Sequence, residues 1–212
     1  MKHGEFLKVD FVGKVAATGE VFDFTLEEMA KSQGMHNPNH PYVPTLIIIG
    51  AHMVIPGVES ELVKMKAGDE KTFTVSPEDA FGPRDPHFVK LFPLSAFMKQ
   101  NVSPSPGERI QIEGRIGKVL TSSGGRVRVD FNHPLAGKEL EYWVKIVSLV
   151  AGTKNKVDEL LSYYQVPVAY EVKDDILIVS SDKEMIPQIK TFIQESVTKW
   201  VKEIKDIQFP KK

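Results

Sequence analysis

Cysteine is absent from the 212 residues, which excludes disulfides, thiolate metal sites and a cysteine nucleophile and leaves the redox compartment open. The chain also lacks the run of about 18 apolar residues that a membrane-spanning helix needs. Its opening, Met1-Lys2-His3-Gly4-Glu5, leads straight into a strand without the features of a signal peptide, so a cytoplasmic location is expected. Charge of one sign is not in excess: 27 Lys and Arg face 28 Asp and Glu, and the net −1 provides no global attraction for nucleic acid or membrane. No serine-centred elbow is present, and His52 and His133 have no motif tying them to a nucleophile, which argues against a hydrolase. His36 and His40 lie four apart, but Pro38 and Pro41 break any shared helix face and no carboxylate adjoins them. Neither a metal nor a cofactor is therefore expected.

What is present is a globular composition, 42% hydrophobic and 26% charged, long enough for one large domain or two to three small ones. Leu7, Val9, Phe11, Gly13 and Val15 alternate with polar residues and read as a half-buried strand; Val21-Phe22-Asp23-Phe24 reads as a second. Asp23 has two readings, a cap for a short helix over Thr25 to Lys31 or an acid on the rim of an apolar cleft. Leu46 to Ile49 is a continuous apolar run suited to a buried strand. Val58, Leu62 and Met65 fall on one face of a short helix that follows Val54-Ile55-Pro56-Gly57. The strand Lys71 to Val75 then runs into Ser76-Pro77-Glu78-Asp79-Ala80-Phe81-Gly82-Pro83, where Phe81 is held on a turn, either as a lid on its own core or as the wall of a pocket.

These motifs, in this order, resemble the FKBP-type peptidyl-prolyl cis-trans isomerases. The resemblance implies an α+β fold in which an antiparallel sheet wraps a short helix. It also implies a proline pocket walled by Phe11, Phe22, Asp23, Val54, Ile55, Phe81 and Tyr142, with Val58 at its floor and Ile47 as a further substrate-binding residue. Well-known members carry Tyr where this chain has Phe11 and Phe81, and Trp where it has Val58, so weak binding of macrolide inhibitors is expected. About 50 residues replace a short family turn, and the return segment Asn132-His133-Pro134-Leu135-Ala136-Gly137 resembles that of SlyD-like members, whose flap insertion assists unfolded chains. The histidine-rich metal-binding tail of bacterial SlyD is absent.

Three domains are expected: residues 1–83 with 132–152 as the isomerase, 84–131 as a small β-rich insert, and 153–212 as an αββα unit. The last resembles the tail of archaeal long-type members in its order of elements. Within the insert, strands are expected near Glu108 to Gly114, Arg115 to Leu120 and Arg126 to Phe131. Val89, Leu91, Phe92, Leu94, Phe97 and Met98 precede them in a loop and helical turn, as a client groove or as the insert's own core. The expected partners are Xaa-Pro peptides and unfolded or partly folded proteins, with a homodimer through residues 153–212 possible and no nucleic acid or membrane. A holdase with an idle pocket is the chief rival. A nucleic-acid adaptor is the third reading, since residues 84–131 hold eight Arg or Lys against four Asp or Glu.

Overall fold

The computed structural model describes residues 1–99, 101–181 and 185–210. The first alternating segment forms β1 (Phe6–Val15), with Phe6, Leu7, Val9, Val12 and Val15 buried. It is followed by β2 (Val21–Phe24), α1 (Glu27–Ser32), β3 (Thr45–Ile48), α2 (Pro56–Lys64) and β4 (Glu70–Val75). Pro56 stands in the first turn of α2, where a missing N–H leaves nothing unbonded, and Val58 and Leu62, four apart, bury one face. Next come a 3-10 turn at Pro86–Phe88, β5 (Val89–Pro93), α3 (Leu94–Met98), β6 (Arg109–Ile112), β7 (Arg115–Ser123) and β8 (Arg126–Asp130). The chain then returns as β9 (Leu140–Leu149) and ends in α4 (Thr153–Tyr163), β10 (Ala169–Lys173), β11 (Ile176–Ser180), α5 (Pro187–Trp200) and β12 (Asp206–Gln208). The class is α+β, dominated by antiparallel sheets.

The chain divides into two compact units, residues 1–75 with 140–212, and residues 76–139. The second is wider than the 84–131 expected. Its flanks join each other: the Gly137 N–H donates to the Gly82 carbonyl at 2.8 Å, and Phe81 stacks on His133.

In the first unit the sheet runs β2-β1-β9-β4. At ten residues, β1 is long enough to pair with β3 along Phe6 to Val9 and with β2 along Val12 to Lys14. Residues 153–212 do not keep a core of their own. Phe6, Leu46 and Ile48 of β1 and β3 form one buried cluster with Val157, Leu160, Leu177, Ile193, Val197 and Trp200. Helical periodicity shows that a face is apolar but not what covers it. The αββα order also needs a further strand, because β12 pairs in parallel with β11 (Leu177 opposite Ile207). Three residues between polar neighbours provide too little alternation to read as a strand.

In the second unit the sheet runs β5-β8-β7-β6 over a core of Phe97, Ile110, Ile112, Val119, Val127 and Val129. Strand β5 corrects the expected loop, since Val89 to Pro93 pair residue for residue with Asp130 to Arg126. The prolines at 86 and 93 hide it from a sequence reading, and it lies at a sheet edge, where a proline is tolerated.

Candidate functional site

The site in the first unit begins with strand register. Gly13 stands opposite Asp23 on one side and Tyr142 on the other, and Tyr142 stands opposite Phe73, so Asp23, Gly13, Tyr142 and Phe73 make one row across β2, β1, β9 and β4. An irregularity in the β1–β2 ladder between Gly13 and Lys14 brings Phe22 to the same place. Tyr142 is the hub. Its ring lies 5.8 Å from Phe22, edge-on, and 6.4 Å from both Phe11 and Phe73. Gly13 makes that crowding possible: a Cβ there would stand 2.8 Å from Phe22 Cζ and 3.0 Å from Tyr142 Cε1.

The electrostatics follow from the rings. Burial, with a smaller contribution from the charge of Asp23, pushes the Tyr142 phenol up to about 12, so it keeps its proton and remains a donor at neutral pH. Asp23 stays open to solvent on one side while the rings crowd the other. This partial desolvation raises its pKa, against a smaller lowering by the hydrogen bond from the Phe24 N–H. Asp23 does not cap α1, whose N-cap is Leu26 without a side-chain bond. Thr25 anchors the end of β2 instead, its hydroxyl accepting from the Phe11 N–H at 3.0 Å and donating to Asp10 at 2.8 Å.

Val54 and Ile55 are half-buried where the chain enters α2. The Ile55 carbonyl accepts from the Val58 and Glu59 N–H groups, while its own N–H has no acceptor among the described residues. Ile47 is 1% exposed and Val58 3%, so both act from beneath the surface.

In the second unit, Phe81 lies on the turn closed by the Gly82 N–H to Pro77 carbonyl bond of 2.7 Å, and its ring stacks on His133 at 4.2 Å and 8°. His133 Nδ1 accepts from the Leu135 N–H at 3.2 Å, which leaves the proton of a neutral ring on Nε2. The six insert residues named from the sequence separate. Phe92, Leu94 and Phe97 belong to the insert's core, whereas Leu91 and Met98 are 55% and 59% exposed and Val89 is half-buried. Three participants were missed by the sequence reading. Phe73 was visible as the apolar centre of its strand, His133 only as part of the return segment, and Gly13 only as one more residue of the apolar alternation. Among the described residues no His, Asp and Glu cluster is arranged to hold a metal ion, and no helix is long and apolar enough to cross a membrane.

Two known families match the chain. The family described as FKBP-type peptidyl-prolyl cis-trans isomerase matches residues 1–96, and the one described as FKBP26, IF domain matches residues 90–135. The short-type peptidyl-prolyl cis-trans isomerase of Methanocaldococcus jannaschii is 35% identical over 146 residues, 69% of this chain and 92% of that protein. The chain belongs to the FKBP-type peptidyl-prolyl cis-trans isomerase family, and its enzyme class is that of the family. A probable FKBP-type 16 kDa isomerase of Pseudomonas fluorescens is 36% identical over 51% of this chain and 74% of its own length. The isomerase SlyD of Vibrio cholerae is 34% identical over 51% of this chain and 55% of its own.

Proposed function

We propose that the protein rotates Xaa-Pro peptide bonds in peptides and in unfolded or partly folded proteins, and that residues 84–131 hold such clients. The observation that carries the catalytic reading is the ring cluster of Phe11, Phe22 and Phe73 about Tyr142 with a partly desolvated Asp23 beside it. Rotation makes and breaks no covalent bond and needs no cofactor. The barrier of about 18–20 kcal/mol is lost amide resonance, and each ~1.4 kcal/mol removed speeds the reaction tenfold. The planar amide is more polar than the twisted one, so a surface that strips water from it disfavours the ground state more than the transition state. Phe11, Phe22, Val54, Ile55 and Tyr142 supply that surface, the Ile55 N–H holds a substrate carbonyl, and Asp23 faces the rotating one. Phe81 enters this proposal on its Ala-Phe-Gly motif.

The test is a proline-tetrapeptide isomerisation assay. Phe22→Ala is expected to lower kcat/KM by about 10- to 100-fold, the equivalent of one or two ~1.4 kcal/mol steps, and Asp23→Asn by less, with circular dichroism showing both folded. If Asp23→Asn alone abolishes activity, desolvation is not the main effect. The second reading, a holdase with an idle pocket, is favoured by the Phe at positions 11 and 81, which lack hydroxyls to orient Asp23; an intact chain without isomerase activity would establish it. Residues 153–212 carry exposed Tyr163, Tyr164 and Ile186, a surface for self-association that gel filtration tests.

A further inference from the structure

The insert's four-stranded sheet has two unlike faces. One is covered by Phe97 of α3 and holds the apolar core. The other follows from register: Leu91 stands opposite Arg128, Pro93 opposite Arg126, Arg109 opposite Lys118, and Gln111 opposite Ile116. Side chains paired this way project together. This second face therefore presents Arg109, Lys118, Arg126 and Arg128 around two exposed aliphatic side chains, Leu91 and Ile116, the latter 67% exposed.

None of those four cations forms an ion pair among the described residues. The carboxylate on the face, Asp130, is already committed to Arg84 at 2.6 Å and to Asn132. Residues 84–131 carry eight basic side chains against four acidic ones, while the whole chain is −1, so positive charge is concentrated in this segment. At the β5 margin of the same face lies an open groove of about 430 Å³, lined by Arg84, Pro86, Val89, Lys90, Leu91 and Arg128. Among the described residues β5 pairs only with β8, so its outer edge can take an extended segment.

Resting on the client-capture reading above, we propose that this face and groove select extended client segments in which an apolar side chain is flanked by Asp or Glu. The apolar side chain enters the groove against Val89 and Leu91, and the flanking carboxylates meet Arg128 and Arg126. Basic segments are repelled by the same groups, so charge sets which unfolded chains are held. These cations are exposed, so the preference is screened by salt while the apolar contact is not. A nucleic-acid strand fits less well, because the outward residues of the face offer aliphatic rather than aromatic surface for bases to stack on.

The experiment titrates the full chain with short fluorescein-labelled peptides that lack proline and share one apolar centre, flanked by Glu in one and by Lys in the other. The Glu-flanked peptide is expected to bind at least about tenfold tighter at low salt, with the gap closing at high salt. The paired change Arg126→Glu and Arg128→Glu, shown folded by circular dichroism, is expected to reverse the order. Equal binding of both peptides overturns the charge selectivity and leaves client capture standing. Failure of both peptides to bind overturns client capture itself. Displacement of the Glu-flanked peptide by an oligouridylate at similar concentration assigns the face to nucleic acid and overturns the proposal.

Discussion

Gly13 acts through the side chain it does not have. It sits between Asp23 and Tyr142 in the row, and the Phe22 and Tyr142 rings fill the space in which a Cβ would stand. Neither ring can retreat freely, since Tyr142 is buried and also touches Phe11 and Phe73. Gly13→Ala is therefore expected to cost about 1–3 kcal/mol of stability, as overpacking does, and to lower tetrapeptide isomerisation in the fraction that remains folded. Thermal melts and the assay on the same sample check both. An unchanged melting temperature and an unchanged rate would mean that the two rings can part without consequence.

At the scale of elements, the notable join is where the chain enters and leaves the insert. Asn132 bonds Asp85 twice, accepting from its N–H and donating to its carbonyl, both at 2.9 Å, and donates to Asp130 at 2.7 Å, which in turn holds Arg84. Desolvation pushes the Asp130 pKa up, but the bonds from Asn132 and Arg84 outweigh it and leave it below the ordinary 3.8. A carboxyl depressed on folding contributes stability that is present above its unfolded pKa and lost as pH falls through the folded one. Asn132→Ala is expected to remove about 1–3 kcal/mol, the usual range for leaving partly buried partners unsatisfied, and to move acid unfolding of the insert to higher pH. Near-ultraviolet circular dichroism followed against pH would show it. An unaltered acid transition would mean that the clamp does not hold the insert.

At the scale of the whole molecule, the shared core changes what a truncation does. Ending the chain at Gly152 removes no proposed residue of the ring cluster, yet it strips the cover from Phe6, Leu46 and Ile48, and it deletes the partner of the 2.8 Å Lys8–Glu159 ion pair. At about 1.5–3 kcal/mol for each large apolar side chain returned to water, several kcal/mol are lost. The truncated chain is expected to melt well below the intact one, with tetrapeptide activity surviving only where it stays folded. Equal melting temperatures would show that the common core contributes little.

Period-two alternation made β1, β4 and β8 legible in the sequence, because apolar and polar side chains alternate along most of each. The turn chemistry around Pro56 and Pro77 to Gly82, with the order of the motifs, was enough to name the family. Three things needed the tertiary structure. Which apolar face covers which could not be read, so the tail's helices looked self-sufficient when they close over β1 and β3. Edge strands with few or proline-flanked residues, β5 and β12, carry too weak a local signal and exist because a neighbouring strand pairs with them. The importance of Gly13 and Phe73 was decided by register alone, since only pairing across β2, β1, β9 and β4 brings residues some 130 positions apart into one row.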